Sequence, residues 1–237
     1  MYLTPAKPPL ALYAAAILII ALGLYGPIAQ LENYHAFADQ RSWFGIAHAG
    51  DVLSNLGFLL VAAWGARRLA RSPMRGARRL GCALFIAALG LTAFGSAWYH
   101  LAPDDARLAW DRVPIALACC ALLATVLESS LALLLLAPAA VASVFWWQAS
   151  GDLRPYLLLQ MAPLVLIPLL QWQAGARTAE KRGFAVAIGL YVLAKLCEVF
   201  DHAGLALLGW LSGHTLKHLL AALAAFVIVR TLTAGPK

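Results

Sequence analysis

The sequence predicts an all-α, polytopic membrane protein built as a bundle of transmembrane helices. Hydrophobic residues make up 62% of its 237 positions, charged residues only 12%, and the mean hydropathy is +0.77. Soluble domains carry about twice that charged fraction. Several apolar stretches also reach the roughly 20 residues that a helix needs to cross the core of a bilayer. No water-soluble fold can bury that much apolar surface.

Apolar runs between charged residues or Gly/Pro breaks define eight candidate spans. In chain order they cover residues 10–30, 51–70, 80–101, 112–127, 130–147, 154–172, 182–201 and 206–231. The first run is longer than the apolar region of a signal peptide, and no clean small-residue cleavage site follows it. We therefore expect it to be a retained helix. Small residues occur in nearly every span, so they mark no particular oligomer interface.

Basic residues concentrate in short loops on one side of an eight-span bundle. The loop after the second span contains six arginines and no acid: Arg67, Arg68, Arg71, Arg75, Arg78 and Arg79. The loop after the sixth span adds Arg177, Lys181 and Arg182. Such loops face the cytoplasm, which predicts cytoplasmic termini and suits a bacterial inner membrane. The net charge of +7 could suggest a nucleic-acid partner, but the basic residues lie in short loops between apolar spans. Their distribution therefore excludes nucleic acid as a partner.

The histidines lie on the opposite, periplasmic side of this predicted bundle. All six belong to that face: His35, His48, His100, His202, His214 and His218. A random distribution would rarely place six histidines on one face. Ionisable groups in or beside membrane spans are costly and usually mark function. The pattern therefore predicts a shared site.

One motif closes the third span and opens the fourth. Ser96 and His100 are four residues apart and share one helical face. Asp111 follows eleven residues later, and a short loop between antiparallel helices would return it to the depth of His100. The alternative for Asp111 is a structural role, in which its carboxylate caps the fourth helix.

A second motif begins the last span. His214 and His218 stand at i and i+4, a spacing at which two imidazoles can bind one divalent ion. Together with His100 they would give three neutral imidazoles and an open fourth position, the arrangement of catalytic zinc. Two alternatives remain for these histidines: residues at the membrane interface, or axial ligands of a b-type haem.

A third cluster lies late in the seventh span and includes Glu198, Asp201 and His202. An imidazole bound to a metal normally donates its other N–H to an outer acceptor. Asp201 is a candidate for this acceptor, and His202 is a further outer candidate. Glu198 either joins them or pairs with Lys195.

Taken together, the motifs resemble those of the alkaline ceramidases. These belong to the CREST superfamily of membrane hydrolases, which also includes adiponectin-receptor and hemolysin III type proteins. The resemblance covers about residues 33–231. It is carried by Ser96-x-x-x-His100, Asp111, His214-x-x-x-His218 and Asp51-Val-Leu-Ser54-Asn55-Leu56.

The resemblance implies a seven-helix core with zinc held by His100, His214 and His218, and with Asp111 and Ser96 beside it. Residues 1–32 would then be an additional N-terminal transmembrane helix, and residues 33–237 the seven-helix domain. It also implies hydrolysis of a ceramide-like lipid amide to a fatty acid and a sphingoid base. Many bacteria make no sphingolipid, so another N-acyl lipid is an alternative substrate. The non-enzyme alternative is a receptor-like sensor with a structural zinc site.

Calcium is a point of departure from the family. Its eukaryotic members bind calcium through an acidic N-terminal segment, with a glutamate just before the first core helix. The nearest position in this chain is His48, and Glu32 and Asp39 do not reproduce the motif. A calcium site is therefore not expected to follow the family pattern.

Overall fold

The computed structural model of the chain describes residues 9–234, and the regular elements in that range are ten helices. They are α1 (Leu10–Tyr25), α2 (Ala49–Ser54), α3 (Leu56–Ala70), α4 (Gly76–Leu101), α5 (Asp105–Leu127), α6 (Ser130–Ser150), α7 (Arg154–Gln173), α8 (Thr178–Val199), α9 (Asp201–Leu208) and α10 (Gly213–Thr233). The prediction of an all-α, polytopic bundle is confirmed.

Within residues 9–234, fewer helices are long and apolar enough to cross a membrane than the eight spans predicted. In the described range, α4, α5, α6, α7, α10 and the continuous pair α2–α3 are long and apolar enough to cross a membrane. Helix α8 makes a seventh span only together with α9, from which it is bent by 85°. Helix α1 has 16 residues, which is roughly 24 Å at 1.5 Å per residue and is shorter than the bilayer core. The predicted first span is therefore a shorter apolar helix.

Two predicted boundaries are wrong. The fourth predicted span, 112–127, corresponds to α5, which begins at Asp105 rather than at residue 112. The Asp104 side chain caps α5 by accepting the backbone N–H of Arg107. Asp111 therefore lies inside α5 and does not cap it. The last predicted span, 206–231, is interrupted at Gly209, whose φ of +73° ends α9 before α10 starts at Gly213. Hydropathy missed this break because apolar residues continue through the turn.

The helices run between two chemically different ends of the bundle. We call one the arginine end, which contains Arg67, Arg68, Arg71, Arg78 and Arg79, and the other the histidine end, which contains His100, His214 and His218. The start of α1 lies at the arginine end, because the backbone N–H of Ala11 donates to Gln173 at the end of α7. The end of α10 lies there too, because Arg68 donates to Thr233. Both ends of the described chain therefore share one end of the bundle.

Helices α4 and α5 approach each other very closely at the histidine end. A Cβ atom at Gly95 would overlap the carbonyl oxygen of Trp110, so only glycine permits this backbone contact. The close approach brings the next residue on α4, Ser96, level with the next residue on α5, Asp111. The packing of these two helices thus sets one half of the site.

The segment between α1 and α2 covers the histidine end. Phe37 and Asp39 are buried in it, with 7% and 0% exposure. The backbone N–H of Ala38 donates to Asp201, and His48 Nδ1 lies 2.9 Å from the Asp39 carbonyl oxygen. Because this segment is tied to α9 and to the start of α2, it forms a fixed cover over the helices below.

Candidate metal centre

Three buried histidines converge at the histidine end. His100 lies in the last turn of α4, and His214 and His218 lie in the first two turns of α10. Their candidate ligand atoms all lie within 4.8 Å of one another. Among residues 9–234, this is the one group of three or more His, Cys, Asp or Glu side chains arranged to hold a metal ion.

The spacing of two of these rings fits a tetrahedral ion. The Nε2 atoms of His100 and His214 are 3.2 Å apart. Two imidazole ligands of a tetrahedral zinc ion, each at about 2.0–2.1 Å, place their nitrogens about 3.3 Å apart. The pair therefore has the separation of two ligands on one ion, with His218 close enough to supply the third.

The hydrogen bonds of His218 fix which ring nitrogen is free. Its Nδ1 atom lies 3.1 Å from the backbone carbonyl oxygen of Asp51 and 2.8 Å from the Ser54 hydroxyl. Since a carbonyl oxygen only accepts, Nδ1 carries the hydrogen and Nε2 keeps its lone pair. An N–H bond from a ligand histidine to a backbone carbonyl is the usual outer contact of metal sites. His218 is therefore held in the tautomer that a metal requires.

Asp201, predicted as an outer acceptor for an imidazole, accepts main-chain N–H groups in the structure. Its Oδ1 atom accepts the backbone N–H of His214 at 2.7 Å, and its Oδ2 atom accepts that of Ala38 at 2.8 Å. The first N–H groups of a helix have no partner within the helix, and they attract a carboxylate. Asp201 thus positions His214 through the main chain. His202, the other outer candidate, is exposed and lies outside the cluster.

Glu198 connects two lysines rather than a histidine. Its carboxylate oxygens lie 2.7 Å from Lys195 Nζ and 2.7 Å from Lys217 Nζ. Lys217 Nζ also lies 3.2 Å from His214 Nε2, so the ammonium group donates to the lone pair that a metal would use. No sequence motif predicted a role for Lys217, although its i, i+3 spacing from His214 places both on one side of α10.

Asp111 and Ser96 are both buried beside the histidines. The Ser96 hydroxyl lies near the Asp111 carboxylate, where α4 and α5 approach each other at Gly95. Together with His218 and Lys217 they line the polar end of a cavity of about 170 Å³. The remaining walls are mainly apolar and include Leu89, Leu122, Ile167 and Phe184. The cavity thus joins a polar, reactive end to a space suited to a hydrocarbon chain.

Phe37 and two further histidines belong to the cover over this centre. The Phe37 ring packs edge-on against His100 and His214, with centroids 4.7 and 4.5 Å away. His35 lies outside the cluster, in contact with the Tyr99 hydroxyl and with Asp105, and His48 contacts a backbone carbonyl. Through these contacts, His35 and His48 help to hold the cover in place.

The acidic residue Asp39 in the cover is paired with a cation. Arg41 Nε lies 2.7 Å from Asp39 Oδ1, and the hydrogen bonds from this guanidinium hold the pKa of the Asp39 carboxyl below its usual value. The same guanidinium donates to the carbonyl oxygens of Gly209 and Trp210. The Asp39–Arg41 pair therefore connects the cover to the turn between α9 and α10.

Comparisons with known proteins add no family assignment. No protein-family model matches the chain, and no curated protein matches it significantly. The chemistry of the centre rests on three convergent imidazoles, a buried carboxylate beside a hydroxyl group, and an apolar cavity.

Proposed function

We propose that this protein is a zinc-dependent membrane hydrolase that cleaves the amide bond of ceramide or a related N-acyl lipid, giving a free fatty acid and an amine. The observation that carries the proposal is that His218, one member of the three-histidine cluster, lines the polar end of an apolar cavity together with Asp111 and Ser96. The motif's resemblance to the alkaline ceramidases supports the same residues and the same chemistry.

His100, His214 and His218 would hold the zinc ion. The 3.2 Å separation of two Nε2 atoms and the fixed tautomer of His218 fit this donor set. When bound, zinc supplies Lewis acidity, which lowers the pKa of a water molecule and polarises an amide carbonyl group. Three protein ligands leave a fourth position open, as catalytic zinc sites do.

Asp111 would carry the proton in this reaction. Its carboxylate would accept a proton from the attacking water and then deliver it to the nitrogen of the leaving amine. Ser96, which lines the cavity wall beside Asp111, would orient that carboxylate or the attacking water through its hydroxyl. The apolar walls would hold the acyl chain, and the cover centred on Phe37 would limit the access of bulk water.

The membrane orientation follows from the charges of the two ends. Short loops rich in arginine stay in the cytoplasm, so the arginine end would face the cytoplasm of a bacterial inner membrane. The centre would then lie at the periplasmic end of the bundle. A substrate with its acyl chain in the outer leaflet of that membrane would present its amide bond at the depth of the histidines.

One observation favours a second candidate, a receptor-like sensor in which zinc organises the bundle. Structural zinc sites are closed, and Phe37 covers two of the three rings. A b-type haem is disfavoured, because axial ligands stand on opposite faces of the macrocycle. Nitrogens of His100 and His214 that lie 3.2 Å apart leave no room for a macrocycle between them.

The test combines metal analysis with a product assay. The purified protein is expected to contain about one zinc per chain and to release palmitate from one or more of N-palmitoyl sphingosine, N-palmitoyl ethanolamine and N-palmitoyl glycine, measured by mass spectrometry. His214→Ala should lose both zinc and turnover, whereas the control His202→Ala, at an exposed position, should keep both. A His214→Ala protein that retained both would refute the site. Stoichiometric zinc without hydrolysis of any amide would favour the sensor.

A further inference from the structure

Two arginines at the arginine end form contacts that stabilise the ends of helices. Arg79 Nη1 donates to the carbonyl oxygens of Leu69, Ser72 and Met74, which lie around the end of α3. Arg78 forms ion pairs with Glu128 at 2.8 Å and with Glu180 at 3.1 Å. The terminal carbonyl groups of α3 and the nearby acids therefore already have cationic partners.

Three further arginines lie at the same end, and in the described part of the chain only Arg68 among them contacts a helix end, at Thr233 of α10. Arg67, Arg68 and Arg71 are exposed at the end of α3, and none of them takes part in the ion pairs found within residues 9–234. Arg68 is oriented by Thr233, to which its Nε and Nη2 atoms donate at 3.3 and 3.5 Å. Its guanidinium carbon also lies 5.7 Å from the centre of the Trp64 ring. The group thus presents positive charge in a partly fixed arrangement.

These arginines surround a cleft between the ends of α3 and α10. The cleft has a volume of about 460 Å³ and is lined by Trp64, Arg67, Arg68, Arg71 and Thr233. Trp64 packs against Phe226 of α10 in a tilted arrangement, with ring centroids 4.6 Å apart. Trp64 precedes the three arginines on α3 and so lies nearer the middle of the bundle. The cleft therefore has a cationic mouth and an aromatic floor, a combination that suits a ligand with an anionic head and an apolar tail.

We propose that this arginine cleft binds the phosphodiester head group of an anionic phospholipid from the surrounding leaflet. Guanidinium groups bind phosphate oxygens through two parallel N–H bonds, which lysines cannot reproduce. Basic clefts between transmembrane helices are known to bind lipid head groups, and tryptophan is enriched at head-group depth. A lipid source accounts for both parts of the cleft, because its acyl chains would lie along α3 and α10 below the Trp64–Phe226 pair.

The site lies at the opposite end of the bundle from the candidate metal centre, so it stands independently of the proposed hydrolase function. Arg177 and Arg182 provide a matched comparison, since they are exposed at the same end but do not line the cleft. Diffuse attraction between basic loops and anionic lipid would depend equally on both pairs of arginines. A specific site would depend only on the pair in the cleft.

Native mass spectrometry of the purified, full-length protein tests the proposal. Phosphatidylglycerol and phosphatidylcholine with identical acyl chains are titrated into the wild type and into the variants Arg68→Gln/Arg71→Gln and Arg177→Gln/Arg182→Gln. The wild type should retain one phosphatidylglycerol at least tenfold more tightly than phosphatidylcholine. The cleft variant should lose that preference, and the control variant, with the same loss of charge, should keep it.

Two further arms complete the experiment. Arg71→Gln alone, at the exposed C-cap of α3, replaces the double variant if that protein does not fold, and it should weaken phosphatidylglycerol binding severalfold. Millimolar inorganic phosphate should not displace the lipid. Equal retention of the two lipids, an equal loss in the control variant, or displacement by free phosphate would each overturn the proposal.

Discussion

The Nδ1 atom of His218 lies 3.1 Å from the carbonyl oxygen of Asp51, and this contact connects α10 to the helix pair α2–α3. The same carbonyl oxygen accepts from the Ser54 hydroxyl and from the Asn55 amide. The main chain of α2, together with two neighbouring polar side chains, therefore orients a candidate metal ligand. The acids late in α8 and at the start of α9, which the sequence had offered for such a role, serve other partners.

The first prediction concerns this support of His218. Ser54→Ala should weaken zinc binding about tenfold, because outer contacts of ligand histidines are worth 10- to 100-fold in affinity and the Asp51 carbonyl would remain. Zinc affinity is measured by competition with a chelator. Ser143→Ala removes a buried hydroxyl that bonds only its own helix, and it should leave the affinity unchanged. Equal affinities of wild type and Ser54→Ala would contradict the role given to this contact.

The second prediction separates chemistry from metal binding. Asp111→Asn should keep one zinc per chain but lower amide hydrolysis at least 100-fold, because a positioned acid–base group typically contributes 10²- to 10⁴-fold. Zinc content and the rate of fatty-acid release are measured on the same preparation. Glu32→Asn, at an exposed acid of the same end of the bundle, is the control and should keep its activity. An Asp111→Asn enzyme with more than a tenth of the wild-type rate would remove Asp111 from the mechanism.

The third prediction concerns Lys217, which lies 3.2 Å from His214 Nε2. An ammonium group there competes with a cation for the same lone pair, so Lys217→Met should bind zinc about tenfold more tightly. Glu198 would keep Lys195 as its partner in this variant. Lys195→Met is the matched control, because it leaves Lys217 between Glu198 and His214. Unchanged or weaker zinc binding in Lys217→Met would show that the ammonium group does not oppose the metal.

The fourth prediction is a pH dependence of stability at the cover. Arg41 lowers the pKa of the Asp39 carboxyl in the folded protein, so the pair stabilises the fold above the ordinary pKa of about 4 and loses this effect as the pH falls through the lower, folded value. Asp39→Asn should lower Tm by about 2–4 °C at pH 7, which corresponds to a hydrogen-bond contribution of roughly 1 kcal/mol. The difference from wild type should shrink between pH 5 and pH 3. A constant difference across that range would exclude the pair as its cause.

Local patterns were sufficient for the parts of the protein that depend on neighbouring residues. Apolar runs predicted the helical bundle, because a segment that crosses lipid must satisfy its own backbone hydrogen bonds. The i, i+4 spacing placed His214 beside His218, because that spacing returns side chains to one face of a helix. The same reasoning failed where the chain bends without changing composition, as at Gly209.

The sequence by itself thus determined the class of fold, the two unlike ends and the residues eligible for a site. Only the tertiary structure decided which of them meet. His100 joins α10 because α4 and α5 pack around Gly95 and the bundle brings α10 beside them, whereas His202 at the same end remains exposed. Asp201 bonds to the main chain because the start of α10 offers N–H groups without partners. Distances between helices depend on packing along their whole length, and no local spacing contains that information.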